Sequence, residues 1–295
     1  MWKNYNSIDL ATPDAFYIDP GLVWQFYSWR RYAALKARPN RGHIALAKLS
    51  QLPQVKYISI TQNVDGLSSR SNHHVDKLYE IHGSLFTLKC TSFSCNYVER
   101  NNFEQPLTPS LSDTQFEYSS QRNRKRRRQG EMDDVEENET LGVPSMVDDV
   151  GHGAGGGNGI VSQPSLSPHF EPVKTLSEDE LPKCPVCKEL LRPGVVWFGE
   201  SLPLDVIRNI DNFIEEGGNK VDLILVIGTS GTVYPANSYV ERVRYQGGKV
   251  AVFNTDIDDR VESGKVKNTW GFKGDAAELL PTALEPLIGK VEMSQ

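Results

Sequence analysis

The sequence lacks a long apolar run. No window holds about eighteen consecutive apolar residues, the length that a membrane-spanning helix needs. The first residues also lack the apolar core of a secretory signal and the Arg- and Ser-rich bias of a transit peptide. We therefore expect an intracellular chain with no membrane partner.

Apolar residues are also few, and positive charge is not in excess. Only 38% of the 295 residues are hydrophobic, so we expect part of the chain not to fold. The net charge of -6 argues against nucleic-acid binding by bulk electrostatics. The basic run Arg122–Arg128 is either a nuclear import signal or tether, or a solvated cluster balanced by the acidic residues after it.

Cysteine is scarce and occurs only in two pairs. Cys184 and Cys187 stand around a proline at the spacing with which two thiolates reach one tetrahedral ion, and Cys90 and Cys95 lie far upstream. A structural zinc needs four ligands, so we interpret the pairs as one zinc site closed by a long loop. Two disulfides or free thiols are the alternatives, and the lack of a secretory signal argues against disulfides.

The composition changes between about residues 99 and 177. Basic, acidic, glycine-rich and proline-containing stretches follow one another there. Such a segment cannot bury enough apolar surface to offset its conformational entropy. We predict a disordered insertion inside the zinc module.

Short apolar runs alternate with helical patterns in the remainder. Val221–Ile227 is continuously apolar, as in a strand buried on both faces of a parallel sheet. Val55–Ile60 and Lys249–Phe253 predict two further strands. The order of strands and helices predicts an α/β fold with a parallel sheet. The helices are expected at Gly21–Ala37, Gly42–Leu52, Leu204–Glu216 and Pro235–Tyr245.

Polar residues follow these strands at their carboxyl ends, where an open α/β sheet holds its ligands. They are Gln62, Asn63 and Asp65 after the first strand, Gly228, Thr229 and Ser230 after the second, and Asn254, Thr255 and Asp256 after the third. Ordinary turn chemistry is the alternative for the first set. A loop of small residues such as the second is by itself a weak signal.

Three further side chains have two open interpretations. His82 lies between a hydrophobic run and a glycine, where it is either structural or a catalytic base. Tyr27 and Arg30 share the apolar face of the helix predicted at Gly21–Ala37. An arginine there is either at the edge of the core with its head in water, or functional.

Together these residues resemble the sirtuin family of NAD-dependent protein-lysine deacylases. The matching blocks are T-Q-N-V-D-G-L from Thr61, E-I-H-G-S from Glu80, both cysteine pairs, R-P-G-V-V-W-F-G-E from Arg192, I-G-T-S from Ile227 and F-N-T-D from Phe253. D-L-A-T-P from Asp9 and F-Y-S-W-R-R from Phe26 resemble the class III branch, whose members remove succinyl, malonyl and glutaryl groups.

The resemblance implies a Rossmann-like NAD-binding domain and a reaction that yields nicotinamide and O-acyl-ADP-ribose. Acidic acyl groups on protein lysines would be the substrates, with acetyl a further candidate. His82 would be the general base and Asn63 a second catalytic residue. Gln62, Asn63 and Asp65 would hold the nicotinamide end of NAD. The pyrophosphate would meet Gly228, Thr229 and Ser230, and the adenosine end Asn254, Thr255, Asp256 and Ala276.

The resemblance also implies a substrate site. Tyr27 and Arg30 match the pair that binds an acidic acyl chain in class III enzymes, and a phenol with a guanidinium fork suits a carboxylate. Val196, Trp197, Phe198 and Gly199 would pair with the substrate peptide as a strand. One structural zinc would be held by the cysteines. We expect a monomer with acyl-lysine proteins and NAD as partners, and no nucleic acid.

Domain boundaries follow from the same resemblance. We predict a first Rossmann-like part at residues 1–88 with a helical acyl-pocket element at 20–37. The zinc module follows at 89–192 and the second Rossmann-like part at 193–295. Class III relatives are often mitochondrial, whereas the basic run permits a nuclear location, so the compartment stays open.

One departure from the family concerns the front of the chain. Family members begin this domain with a strand, a G-A-G-I-S phosphate loop and an F-R-G segment, and this chain starts just after their position. Without that strand we expect unpaired strand edges and fewer amides for the pyrophosphate. The alternative function is therefore a catalytically impaired, truncated relative that binds acyl-lysine peptides on a zinc-stapled module. A nucleic-acid-binding zinc ribbon is a weaker alternative.

Overall fold

The computed structural model describes residues 2–3, 5–112, 173–215, 220–229 and 236–292. Ser230 and the run Arg122–Arg128 lie outside them. The α-helices are α1 (Ser7–Leu10), α2 (Pro13–Ile18), α3 (Pro20–Lys36), α4 (Arg41–Gln51), α5 (Leu67–Arg70), α6 (Leu204–Glu215), α7 (Ala236–Tyr245), α8 (Asp259–Glu262) and α9 (Ala276–Ile288). The strands are β1 (Ser59–Thr61), β2 (Leu78–Glu80), β3 (Gly83–Cys90), β4 (Val98–Glu99), β5 (Leu191–Val195), β6 (Leu223–Ile227), β7 (Lys249–Asn254) and β8 (Thr269–Lys273).

Several helices begin at a polar side chain that caps their free N–H groups. Asp19 Oδ1 accepts from the backbone N–H of Leu22 at 2.8 Å, at the start of α3. Asn40 and His43 form a capping box at the start of α4. Because such caps are local in sequence, the predicted helix limits agree with the observed ones to within one residue.

The described chain divides into two compact units. The first contains Met1–Ala33 and Phe86–Glu200, and the second contains Ala34–Leu85 and Ser201–Gln295. In the first unit the N-terminal helices pack with the cysteine-bearing part of the chain. Trp24 of α3, for example, is fully buried and donates from Nε1 to the carbonyl oxygen of Leu191 at 2.9 Å.

In the first unit, β4, β3 and β5 form a three-stranded sheet in that order. β3 and β4 are antiparallel, with Leu88 opposite Glu99. Gly194 of β5 lies so close to β3 that a Cβ there would be 2.5 Å from Thr87 Cβ. This close approach requires glycine and fixes β5 beside the strand that ends at Cys90.

The two ends of the predicted insertion are packed against the first unit. Arg31 is fully buried and donates from Nη2 to the carbonyl oxygens of Asn102 and Glu104, each at 2.9 Å. Burial lowers the pKa of Arg31 to about 10, although Glu99 and Glu104 raise it. Leu111 and Leu176 are also buried. Residues 99–112 and 173–177 are therefore folded, and the prediction of disorder concerns only 113–172, which lie outside the described residues.

The second unit is α/β with parallel strands, as predicted, and these strands lie in two sheets. β1 pairs with β2, while β6, β7 and β8 form a separate sheet in that order. In the described part of the chain, no strand lies between β1 and β6. Side chains from both sheets pack instead on one cluster, which consists of Ile81, Ile210, Ile214 and Tyr239. Side-chain packing therefore joins these two sheets, which backbone hydrogen bonds between strands do not.

A second cluster of buried residues lies between β7, α4 and α9. It comprises Ala45, Leu49, Ala251, Phe253, Leu280, Leu284 and Val291. This cluster fixes the carboxyl end of β7, where the predicted Asn254–Asp256 segment begins. None of the helices in the described ranges is long and apolar enough to cross a membrane.

Candidate active site and zinc centre

The four cysteines converge in the first unit. Their sulfur atoms all lie within 4.8 Å of one another, with Cys90 Sγ 3.3 Å from Cys187 Sγ and Cys95 Sγ 3.8 Å from Cys184 Sγ. A disulfide would bring two sulfurs to about 2.05 Å, and all four cysteines are free. Four thiolates bound to one zinc at about 2.3 Å in a tetrahedron are about 3.8 Å apart. The donor set therefore fits one zinc ion.

Two backbone turns present these sulfurs. Cys184 N donates to Glu189 O at 2.7 Å, and Lys188 N donates to Cys184 O at 3.0 Å, which closes one turn. Lys188 adopts a positive φ of 68° within it. Thr91 N donates to Leu190 O at 3.0 Å and joins this turn to the one that carries Cys90 and Cys95. The cysteine spacing predicted the ligands, and this backbone pairing brings the two turns together.

Removal of the metal is expected to unfold this part of the chain. Cys184→Ser should abolish stoichiometric zinc and lower the thermal stability, because structural zinc supplies much of the folding free energy of such modules. Metal content by mass spectrometry and thermal unfolding by circular dichroism check this. Ser94→Ala, in the same turn as Cys95, is the matched control and should keep the metal. Full zinc content in Cys184→Ser would contradict the four-cysteine site.

His82 is held in one orientation in the second unit. β1 and β2 are parallel with Thr61 opposite Glu80, so their carboxyl ends meet and bring Gln62 beside His82. His82 Nδ1 lies 3.1 Å from the carbonyl oxygen of Gln62. A carbonyl only accepts, so Nδ1 carries the proton and Nε2 keeps its lone pair. Burial lowers the pKa of His82, although the bond to Gln62 opposes this, and the ring is neutral at pH 7.

The loop after β1 contains a buried donor without a partner. Gln62 Nε2 is buried and has no hydrogen-bond acceptor in the described parts of the chain. Leaving such a group unpaired costs about 1–3 kcal/mol, which an acceptor on a bound ligand would offset. Asn63 is exposed, while Asp65 Oδ1 accepts from Leu67 N at 2.9 Å in a turn just before α5. Asp65 therefore also takes part in a turn, which was the alternative interpretation of this loop from the sequence.

The ends of β6 and β7 are tied together. Gly228 N donates to Phe253 O at 2.9 Å, and Asn254 Nδ2 donates to Thr229 O at 3.2 Å. The Gly228 amide is therefore used within the sheet, and Ser230 lies outside the described residues. Thr255 and Asp256 are exposed at the end of β7. Ala276 is the first residue of α9 and packs against the second cluster.

Tyr27 and Arg30 are both buried in the first unit. Tyr27 is fully buried and Arg30 is 5% exposed, with its guanidinium carbon 5.5 Å from the ring centroids of Tyr27 and Phe26. Burial raises the pKa of Tyr27, although Arg30 lowers it, so the hydroxyl stays protonated at neutral pH. The buried guanidinium of Arg30 excludes the alternative in which this arginine lies at the edge of the core and extends its charged head into water.

The segment Val196–Gly199 is not a strand. β5 ends at Val195, before this segment, and Phe198 and Gly199 form a turn. Trp197 N donates to Glu200 Oε2 at 2.8 Å and Phe198 N donates to Ala11 O at 2.9 Å. A peptide that adds to this segment would therefore use other backbone groups.

Arg192 and Glu200 form a pair whose role the sequence pattern did not predict. The two side chains make a double contact at 2.5 and 2.8 Å. Burial raises the pKa of Glu200, but the bonds from Arg192 and Trp197 N hold it below its usual value. The Arg192 guanidinium lies 3.6 Å from the centroid of the Trp197 ring. In the sequence, the opposite charges of the first and last residues of the R-P-G-V-V-W-F-G-E block could have indicated this ion pair.

Comparison with known proteins agrees with this arrangement. The model of the Sir2 family matches residues 1–235. A Candida albicans protein named "NAD-dependent protein deacylase" is 65% identical over 292 residues, which are 99% of this chain and 87% of that protein. A Danio rerio protein named "NAD-dependent protein deacylase sirtuin-5, mitochondrial" is 34% identical and covers 97% of this chain and 74% of its own length.

A solved structure has the same fold. The crystal structure of a Sir2 homologue–NAD complex is 29% identical and superposes with a TM-score of 0.61 over 97% of this chain and 79% of that one. With a family model that covers most of the chain and a relative at 65% identity, the chain belongs to the Sir2 family.

Proposed function

We propose that this protein is an NAD-dependent protein deacylase that removes succinyl, malonyl and glutaryl groups from lysine side chains. The observation that carries the proposal is the fixed, neutral His82, whose Nδ1 is bound to the Gln62 carbonyl at 3.1 Å and whose Nε2 can accept a proton. The names of the Candida albicans and Danio rerio relatives support the same reaction class.

NAD, when bound, supplies the ribose carbon that loses nicotinamide and receives the acyl oxygen. His82 would accept the proton of a ribose hydroxyl at Nε2, because an imidazole that is unprotonated near neutral pH can act as a general base. Gln62 Nε2 supplies a donor for the nicotinamide end. Asn63 and Asp65 flank it on the same loop, and Thr229, Asn254 and Asp256 lie near the carboxyl ends of β6 and β7. A zinc ion held by the four cysteines would stabilise the first unit.

Arg30 and Tyr27 account for the preference for acidic acyl groups. A carboxylate inside an apolar environment is stable only with a cationic or hydrogen-bonding partner. The buried guanidinium of Arg30 offers charge-assisted donors, and the Tyr27 hydroxyl offers one more. Neutral acetyl groups would not use either donor, so we infer that acetyl-lysine is the weaker substrate.

The test is mass spectrometry of a succinyl-lysine peptide incubated with the protein, with and without NAD, beside the matching acetyl-lysine peptide. We expect NAD-dependent loss of the succinyl group with equal release of nicotinamide. Binding of the succinyl peptide without any turnover would overturn the enzymatic proposal and would favour the acyl-lysine binding module. A product that forms equally without NAD would exclude the sirtuin reaction.

The activity is expected to persist at acidic pH. Because burial lowers the pKa of His82, the base stays neutral below its ordinary value of 6.5. The acid limb of kcat/KM should therefore lie below that value when measured from about pH 5 to about pH 8.

Burial also lowers the pKa values of His43 and His73. The unfolded state therefore binds more protons than the folded state, and the free energy of unfolding falls as pH decreases below 6.5. Unfolding curves at each pH separate this loss from the titration of His82, and an acid limb above 6.5 would contradict the role of His82.

We further infer that the protein acts as a monomer on acyl-lysine proteins. Sedimentation at micromolar concentration tests the oligomeric state. The name of the Danio rerio relative places that protein in mitochondria. For this chain, imaging of a fluorescent fusion with and without Arg122–Arg128 would distinguish a mitochondrial from a nuclear location.

A further inference from the structure

The hydroxyl of Tyr27 has an unusual set of neighbours. A phenol has one proton to donate and lone pairs for two donors. Trp197 Nε1, which can only donate, lies 2.9 Å from the Tyr27 oxygen, and both side chains are buried. Arg30, which also has only donors, lies beside Tyr27, with its guanidinium carbon 5.5 Å from the centroid of the Tyr27 ring. Neither Trp197 nor Arg30 can accept the phenol proton, which leaves it for another acceptor, such as one on a bound ligand.

Trp197 is itself held on several sides. Its ring lies 3.6 Å from the Arg192 guanidinium, which is fixed by the double contact with Glu200. Its backbone N–H donates to the same carboxylate. The Phe16 ring packs on the indole with centroids 5.3 Å apart. These contacts leave the indole little freedom, so the direction of its N–H is set before any substrate binds.

We propose that Trp197 is a positioning residue for acidic acyl groups, because its indole N–H fills an acceptor site of Tyr27 and so directs the phenol proton toward the acyl carboxylate. The inference rests on the proposed preference for acidic acyl groups and adds a residue that acts through Tyr27. Arg192 and Glu200 serve the same end by fixing the indole. Without the indole N–H, the Tyr27 hydroxyl could point its proton away from the acyl carboxylate, and one donor to that carboxylate would be lost.

Trp197→Phe tests the proposal because it keeps an aromatic ring and removes the N–H donor. We expect the Kd of a succinyl-lysine peptide to rise about fivefold more than that of the acetyl-lysine peptide, the size of one neutral hydrogen bond. Tyr27→Phe should change the ratio of the two Kd values in the same direction. Adding Trp197→Phe to Tyr27→Phe should then change the ratio no further, because the indole acts through the hydroxyl.

Trp24→Phe is the matched control. Trp24 is another fully buried indole of the first unit, and it donates to the carbonyl oxygen of Leu191. Its replacement should lower stability and leave the ratio of the two Kd values unchanged. Equal weakening of both peptides by Trp197→Phe, or a further change of the ratio in the Tyr27→Phe background, would overturn the proposal.

A second variant tests the proposal if Trp197→Phe does not fold. Arg192→Lys loses the planar stack on the indole and the double contact with Glu200. It should shift the ratio in the same direction by about two- to threefold, since the indole is loosened rather than removed. An unchanged ratio in folded Arg192→Lys would count against the proposal.

Binding and turnover separate this inference from the proposed function. Suppose that the wild-type protein turns over the succinyl peptide, but the ratio of the two Kd values does not change when Trp197 is replaced. This result would overturn the positioning role and leave the proposed deacylase activity standing. Binding of the succinyl peptide that depends on Trp197 but is never followed by NAD-dependent turnover would reject the deacylase and support the positioning role.

Discussion

His82→Ala is expected to reduce kcat/KM for NAD-dependent deacylation by about 10²–10⁴-fold, the usual contribution of a positioned general base. The physical reason is the arrangement at the ends of β1 and β2, where the Gln62 carbonyl fixes the Nδ1 proton and leaves Nε2 free to accept one. Alanine supplies no proton acceptor at that place. The effect should appear mainly in kcat, because the proton moves during the reaction rather than during binding.

Two measurements make this prediction specific. Exchange of labelled nicotinamide should be reduced less than formation of the deacylated peptide, because the proton transfer follows the loss of nicotinamide. His74→Ala is the matched control, since the His74 side chain is 46% exposed in the same unit. It should keep near-normal activity. Comparable activity in His82→Ala and wild type, with both proteins folded, would exclude His82 as the base.

Arg30→Met is expected to reduce removal of succinyl groups by about 10- to 150-fold while leaving acetyl removal within about threefold, because hydrogen bonds to a charged group contribute about 1.5–3 kcal/mol. Methionine has a similar length and is apolar, so it can replace the buried side chain without opening a large cavity. The acetyl group has no carboxylate and does not need the guanidinium. The ratio of kcat/KM values for the two peptides is therefore the quantity to measure.

Two further arginine variants serve as controls. Arg30→Lys keeps the charge and loses the planar fork, so it should fall between wild type and Arg30→Met. Arg100→Met removes an exposed arginine of the same unit and should leave both activities unchanged. Equal loss of the two activities in Arg30→Met would mean that Arg30 supports the fold and does not select the acyl group.

Several features around the candidate site could be predicted from the sequence, because their signals are local. The C-x-x-C spacing around Pro185 predicted metal ligands, and the four sulfurs do converge within 4.8 Å. Helix limits followed from caps such as Asp19 and Asn40, which act within three residues. The polar loops after Ile60 and Phe253 stand at strand ends as expected. Their roles toward NAD remain predictions.

Tertiary structure alone decided how distant parts of the chain combine. The contact between Trp197 and Tyr27 joins residues 170 positions apart, and that between Arg31 and Asn102 joins residues 71 apart. Periodicity describes one element at a time and cannot specify such partners. These contacts place the N-terminal helices with the four cysteines, fold the ends of the predicted insertion and bring Trp197 to Tyr27. The sequence by itself determined the chemical groups and local elements, whereas long-range packing determined which of those groups meet.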